Sequence, residues 1–160
     1  MVYPVRYWDS DCFLGWLAEE PDKVSDCQSV IRAAEAGDLR IVTSSLTLVE
    51  VVKLKSRTPL PPEKEVVIRS FFEHSYIVIR QLDRRTAERA RELIWKYGFN
   101  PKDSVHVATA LVENVPRMDT FDGDLMKKSG MIGSPPLIIG RPDLPEQYQF
   151  DLPTEREDQE

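Results

Sequence analysis

Four carboxylates carry most of the chemistry available to this chain: Asp9, Glu50, Asp103 and Asp122. They are far apart in sequence, yet each sits where an apolar run meets a turn or a helix. Asp9 ends Val5-Arg6-Tyr7-Trp8, and Glu50 lies within the amphipathic run 46–54. Asp103 follows Asn100-Pro101-Lys102, and Asp122 closes Arg117-Met118-Asp119-Thr120-Phe121. In an α/β protein, carboxylates at strand ends point into the crevice where such folds bind ligands. Several acids in one crevice repel one another, and a bound cation compensates them. Hard oxygen ligands select Mg²⁺ or Mn²⁺ over zinc or copper. The chemistry to expect is a divalent-metal site suited to phosphates.

Each acid also has a plainer explanation. Asp103 falls in a first helical turn, where the helix dipole favours a carboxylate whatever its function. Glu50 interrupts Leu48-Val49 and Val51-Val52, and an amphipathic helix can turn it to solvent. Asp9 and Asp11 flank Ser10, Asp122 and Asp124 flank Gly123, and one acid of each pair can serve as a turn or cap residue. Ser44, Ser45 and Thr120 are hydroxyls able to bond a carboxylate or phosphate. His74 and His106 are the only histidines; a lone helical histidine is ordinarily packed or exposed, and neither is given a mechanistic role.

The elements that would position these residues alternate between strand and helix. Strands are expected at 2–8, 39–43, 76–79, 117–120 and 137–139. Helices are expected from 11 to 17, from 24 to 36 with Gly37 at its end, and after Ser44 or Ser45. Further helices run over 63–73, anchored by Val66, Val67, Phe71 and Phe72, and over 84–97, with Ala87, Ala90, Leu93 and Ile94 inward and Gly98 as the stop. Asn100 caps the next helix with Pro101 at its first position; it buries Val105, Ala108, Leu111 and Val112. Pro116 and Asp119 make 117–120 the least strand-like of the strands. This alternation implies a mostly parallel sheet flanked by helices.

Composition fits one soluble globular domain, with 41 % hydrophobic and 30 % charged residues. No run nears the roughly 18 apolar residues of a membrane span, and no export signal is visible, so a cytoplasmic location is expected. Cys12 and Cys27 lack metal-site spacing and read as two reduced thiols. The net charge of −6 is uneven, because residues 141–160 hold seven acids and two bases. The remainder is close to neutral, with basic clusters at Arg84, Arg85, Arg89 and Arg91 and at Lys53, Lys55 and Arg57. Such local surfaces can bind phosphates despite an acidic total. The Pro-containing acidic stretch 141–160 reads as an irregular tail.

Together the segments Tyr7-Trp8-Asp9-Ser10-Asp11, the run 43–51 ending in Val49-Glu50-Val51, Lys102-Asp103-Ser104-Val105-His106-Val107-Ala108-Thr109-Ala110 and Thr120-Phe121-Asp122-Gly123-Asp124-Leu125 resemble the PIN-domain nucleases, especially VapC-type toxins of toxin–antitoxin pairs. The resemblance covers residues 1–140 and leaves 141–160 as an acidic tail outside the pattern. It implies a three-layer α/β/α sandwich and metal-dependent hydrolysis of RNA phosphodiesters with Mg²⁺ or Mn²⁺. Asp9, Glu50, Asp103 and Asp122 would then be the metal-binding, catalytic acids, with Thr120, Asp124 and Ser45 as accessories. Arg84, Arg85, Lys53 and Lys102 would contact RNA. A cognate antitoxin and a homodimer are the implied protein partners, with no membrane. Two other readings compete. The Asp9-Ser10-Asp11 run has the form of a haloacid-dehalogenase nucleophile, though no threonine follows in the usual place. A catalytically silent PIN-like binding or scaffold module would not need all four acids.

Overall fold

The computed structural model describes residues 5–52 and 59–143. Among them five short strands form one all-parallel sheet: β1 (Val5–Trp8), β2 (Arg40–Ser44), β3 (Ile77–Arg80), β4 (Arg117–Asp119) and β5 (Ile138–Gly140), in the order β3-β2-β1-β4-β5. The chain steps outward from β1 to β2 and β3, then returns to β4 on the other side of β1. Strand order therefore reverses between β1 and β4, the place where open α/β sheets form their binding crevice. In register Trp8 stands opposite Asp119, so Asp9 and Thr120 leave the sheet side by side.

Alternation along β1 divides the core in two. Trp8 faces one side, with Phe13 from α1 (Ser10–Leu17), Val30 and Ile31 from α2 (Val24–Glu35), and Phe71 and Phe72 from α4 (Glu65–Phe72). Tyr7 faces the other, with Leu93 from α5 (Arg84–Tyr97) and Val107 and Ala108 from α6 (Pro101–Val112). This is the expected three-layer sandwich. Two short helices, α3 (Ser45–Glu50) and α7 (Gly123–Met126), complete the ends of β2 and β4. No helix among the described residues is long and apolar enough to cross a membrane.

Several local expectations change. Val66 and Val67 do not anchor α4; they are 72 % and 55 % exposed, while Phe71 and Phe72 are buried. Pro62 opens a 3-10 turn over Pro62–Lys64, so the α-helix starts at Glu65, two residues later than expected. In α5 the inward position belongs to Thr86 rather than Ala87, which is exposed. In α6, Val105, Leu111 and Val112 are only half-buried, and Ser104, His106 and Thr109 are buried. Ser104 and Thr109 tolerate burial because their hydroxyls donate to the Pro101 and Val105 carbonyls of the same helix. The strand at 117–119 survives its polar residues for a similar reason. The buried Asp119 carboxylate accepts from Trp8 Nε1 at 2.9 Å, Arg117 Nε at 3.0 Å and Arg6 at 3.3 Å. Gly123–Met126 had no signal beyond its capping acid. Lys53, Lys55, Arg57 and residues 144–160 lie outside the described residues.

Candidate active site

Each of the four acids sits at one end of a helix, and for Asp9 and Asp122 that helix follows directly on a strand. Asp9 follows β1 and caps α1, its Oδ1 accepting from Cys12 N at 3.2 Å. Its Oδ2 accepts from the Thr120 hydroxyl at 2.5 Å, across the gap between β1 and β4. Thr120 Oγ1 in turn accepts from the Asp122 amide at 3.0 Å. Asp122 caps α7, with Oδ1 accepting from the amides of Asp124 and Leu125. Asn100 caps α6 and holds Asp103 twice, accepting from its amide at 2.9 Å and donating to its Oδ2 at 2.7 Å. Glu50 is the last residue of α3, which Ser44 caps.

All four acids line one cleft of about 1120 Å³. Lys23 and Lys102 stand at its wall, with Asp11, Asp124 and Phe121. Asp9 is only 4 % exposed. Burial, with the charge of Asp11 added, pushes its carboxyl up to about 7, against the opposing influence of His106 and the bonds from Thr120 and Cys12. An anion so placed is costly without a compensating cation. Among the described residues no three His, Cys, Asp or Glu side chains are drawn together tightly enough to grip a metal ion as posed. The donor set nonetheless fits a hard cation: carboxylate oxygens line the cleft, no thiol is among its lining residues, and the most buried acid is disfavoured as a bare anion. Cys12 and Cys27 are buried and free elsewhere, their thiols pushed up by burial.

Not every expected residue joins the cleft. Ser45 is turned to the segment after β3, where its hydroxyl accepts from Leu82 N at 3.2 Å, and it is not among the lining residues. Asp124 lines the edge, highly exposed, 3.5 Å from Lys127. Arg84 is paired with Glu88 on the surface of α5. Arg85 lines a separate groove with Leu111 and Val112, at the opposite end of α6 from Asp103, about 12 Å along that helix at 1.5 Å per residue. Of the four basic residues expected at RNA, Lys102 alone lines the acid cleft among those described.

His106 belongs to the site, contrary to its omission from the sequence reading. It is buried, with Nε2 at 2.6 Å from Glu50 Oε1 and Nδ1 at 2.6 Å from the Tyr7 hydroxyl. Burial, together with the charge of Asp9, holds the Tyr7 phenol well above its ordinary value, so it stays protonated. The available signal was position: His106 lies one helical turn after Asp103, on the same side of α6.

The PIN domain matches residues 7–130 of the chain. No curated protein matches it by sequence. Among solved structures, Mycobacterium tuberculosis VapC20, described as a sarcin-ricin loop cleaving toxin, is similar with a TM-score of 0.60 at 15 % identity. That likeness covers 74 % of this chain and 91 % of VapC20. VapBC2 from Rickettsia felis, solved bound to a DNA fragment from its promoter, gives a TM-score of 0.58 at 17 % identity. It covers 84 % of this chain and 98 % of the matched one.

Proposed function

Because this chain belongs to the PIN-domain family, we propose that it is a metal-dependent ribonuclease and acts as a VapC-type toxin held in check by an antitoxin protein. The observation that carries this reading is the buried Asp9 at the strand-order reversal, on the wall of a cleft shared with Glu50, Asp103 and Asp122. Likeness over most of their length to VapC20, described as a toxin, and to VapBC2 supports the toxin assignment. Family membership disfavours the phosphatase alternative through Asp9. The silent-module alternative gains nothing from a cleft in which all four acids are retained.

Asp9 and Asp103 would hold a Mg²⁺ or Mn²⁺ ion, with Glu50 and Asp122 completing its surroundings. When bound, such an ion supplies positive charge to the phosphodiester and acidifies water for attack. The chain's own groups do the rest. Thr120 and the Cys12 amide fix both oxygens of Asp9, and Asn100 fixes Asp103. Such fixed groups need little reorganisation as charge develops on the phosphate. The carboxylates of the cleft would take the proton of the attacking water. Lys102, exposed at the start of α6, meets the backbone phosphates of the strand entering the cleft. Water's oxygen bonds to phosphorus, the bridging P–O bond breaks, and the leaving ribose oxygen takes up a proton.

The test is cleavage of a structured RNA by the purified full-length chain. Mg²⁺ or Mn²⁺ should support cutting, EDTA should stop it, and added metal should restore it. Cutting at equal rate in EDTA would refute the reading.

A further inference from the structure

We propose that Tyr7 and His106 form a positioning device for Glu50, a chain of hydrogen bonds that holds one carboxylate oxygen so that the other faces the cation site. This rests on the metal reading above and adds two residues to it. The chain links three elements: Tyr7 on β1, His106 on α6 and Glu50 at the end of α3. Both bonds are 2.6 Å, and Tyr7 and His106 are essentially inaccessible to water.

One hydrogen follows from the partners, because a carboxylate only accepts. The Tyr7 hydroxyl, kept protonated by its burial, pairs with Nδ1 of His106. Nε2 then carries the ring hydrogen and donates to Glu50 Oε1. A buried imidazole is worse than a leucine of similar size unless both nitrogens are partnered, and here both are. Glu50 ends a helix of six residues, and its bond to His106 ties that end to α6. His106 lies one turn from Asp103 on α6, so the same contact sets the second acid relative to the third. Hydrogen bonds of this kind to a ligating carboxylate orient it and tune the metal.

The experiment measures Mn²⁺ affinity by titration calorimetry on the full-length chain, with the melting temperature in EDTA as a folding control. His106→Leu should weaken binding by about 10–100-fold. His106→Gln, whose amide nitrogen can stand where Nε2 stands, should recover most of it. Tyr7→Phe, which loses only the outer link, should fall between wild type and His106→Leu. In a Glu50→Gln background His106→Leu should cost nothing further, because there is no carboxylate left to position. Wild-type affinity in His106→Leu, or equal losses in the Leu and Gln variants, would overturn the proposal. If His106→Leu does not fold, wild-type affinity in Tyr7→Phe overturns it. Saturable Mn²⁺ binding by the wild type that Asp9→Asn abolishes separates the two claims; its absence overturns the metal reading and this proposal together.

Discussion

At the scale of single residues the site is defined by one buried acid and its bonds. Asp9 in the folded protein holds its proton up to about pH 7, whereas an unfolded aspartate releases it near 3.8. Between those values the folded state binds the extra proton, so stability without metal falls as pH rises through that window. In EDTA the wild type should melt several degrees lower at pH 8 than at pH 5, since 1 kcal/mol moves Tm by about 2–4 °C at this length. Asp9→Asn should flatten that slope; an equally steep slope in the variant would assign it to another group. The acids themselves drew attention in sequence because each stands where an apolar run meets a turn or a helix. His106 and Tyr7 were not, because their meaning lies in a contact between β1 and α6, 99 residues apart. Ser45 was misread for the opposite reason: a hydroxyl beside a capping serine can face either end of its turn.

Among the elements, strand β4 shows how a polar segment keeps its place in the sheet. Arg6 from β1 and Arg117 from β4 share the buried Asp119, and Asp143 accepts from Arg6 at 2.8 Å. Burial pushes the Asp119 carboxyl upward, and the two guanidinium groups oppose this. Removing one partner leaves a poorly compensated charge inside the protein. Arg6→Met should therefore cost about 3 kcal/mol in urea unfolding, and a loss below about 1 kcal/mol would show that Arg117 and Trp8 suffice. Val66→Gln with Val67→Gln should change stability by no more than about 0.5 kcal/mol each, because both side chains lie on the outer face of α4. Alternation of strand and helix was readable from β-branched runs and from caps such as Ser44 and Asn100. The rotation of α4 was not: it depends on a 3-10 turn after Pro61 that shifts which residues face inward. Thr86 displaces Ala87 because periodicity leaves a choice of adjacent positions, which packing against α6 settles.

For the whole molecule, charge is divided between a nearly neutral body and an acidic end. Contacts with the body continue past residue 140. Arg141 pairs with Asp26 and lies 4.8 Å from the Phe121 ring, and Asp143 pairs with Arg6 and Arg117. Deleting 144–160 removes six acids and one base and takes the net charge from −6 to −1. That truncation should keep the wild-type Tm and bind RNA more tightly at low salt, as repulsion is removed. Truncation after Gly140 should also lower Tm, because Arg141 and Asp143 are lost. Equal melting of the two truncations would show that these contacts add nothing. The order of strands, and with it the meeting of Asp9 and Thr120, could not be read from composition or periodicity. It is a property of the return from β3 to β4 across the sheet.

The most direct measurement is RNA cleavage in Mg²⁺ by Asp9→Asn and Asp103→Asn, each compared with wild type at equal concentration. Both substitutions keep size and most hydrogen bonding while removing one negative charge from the cleft. Cleavage should fall by about 10²–10³-fold in each, with a Tm in EDTA equal to or above that of wild type. Cutting at the wild-type rate by both folded variants would contradict a metal-held phosphodiester hydrolysis in this cleft.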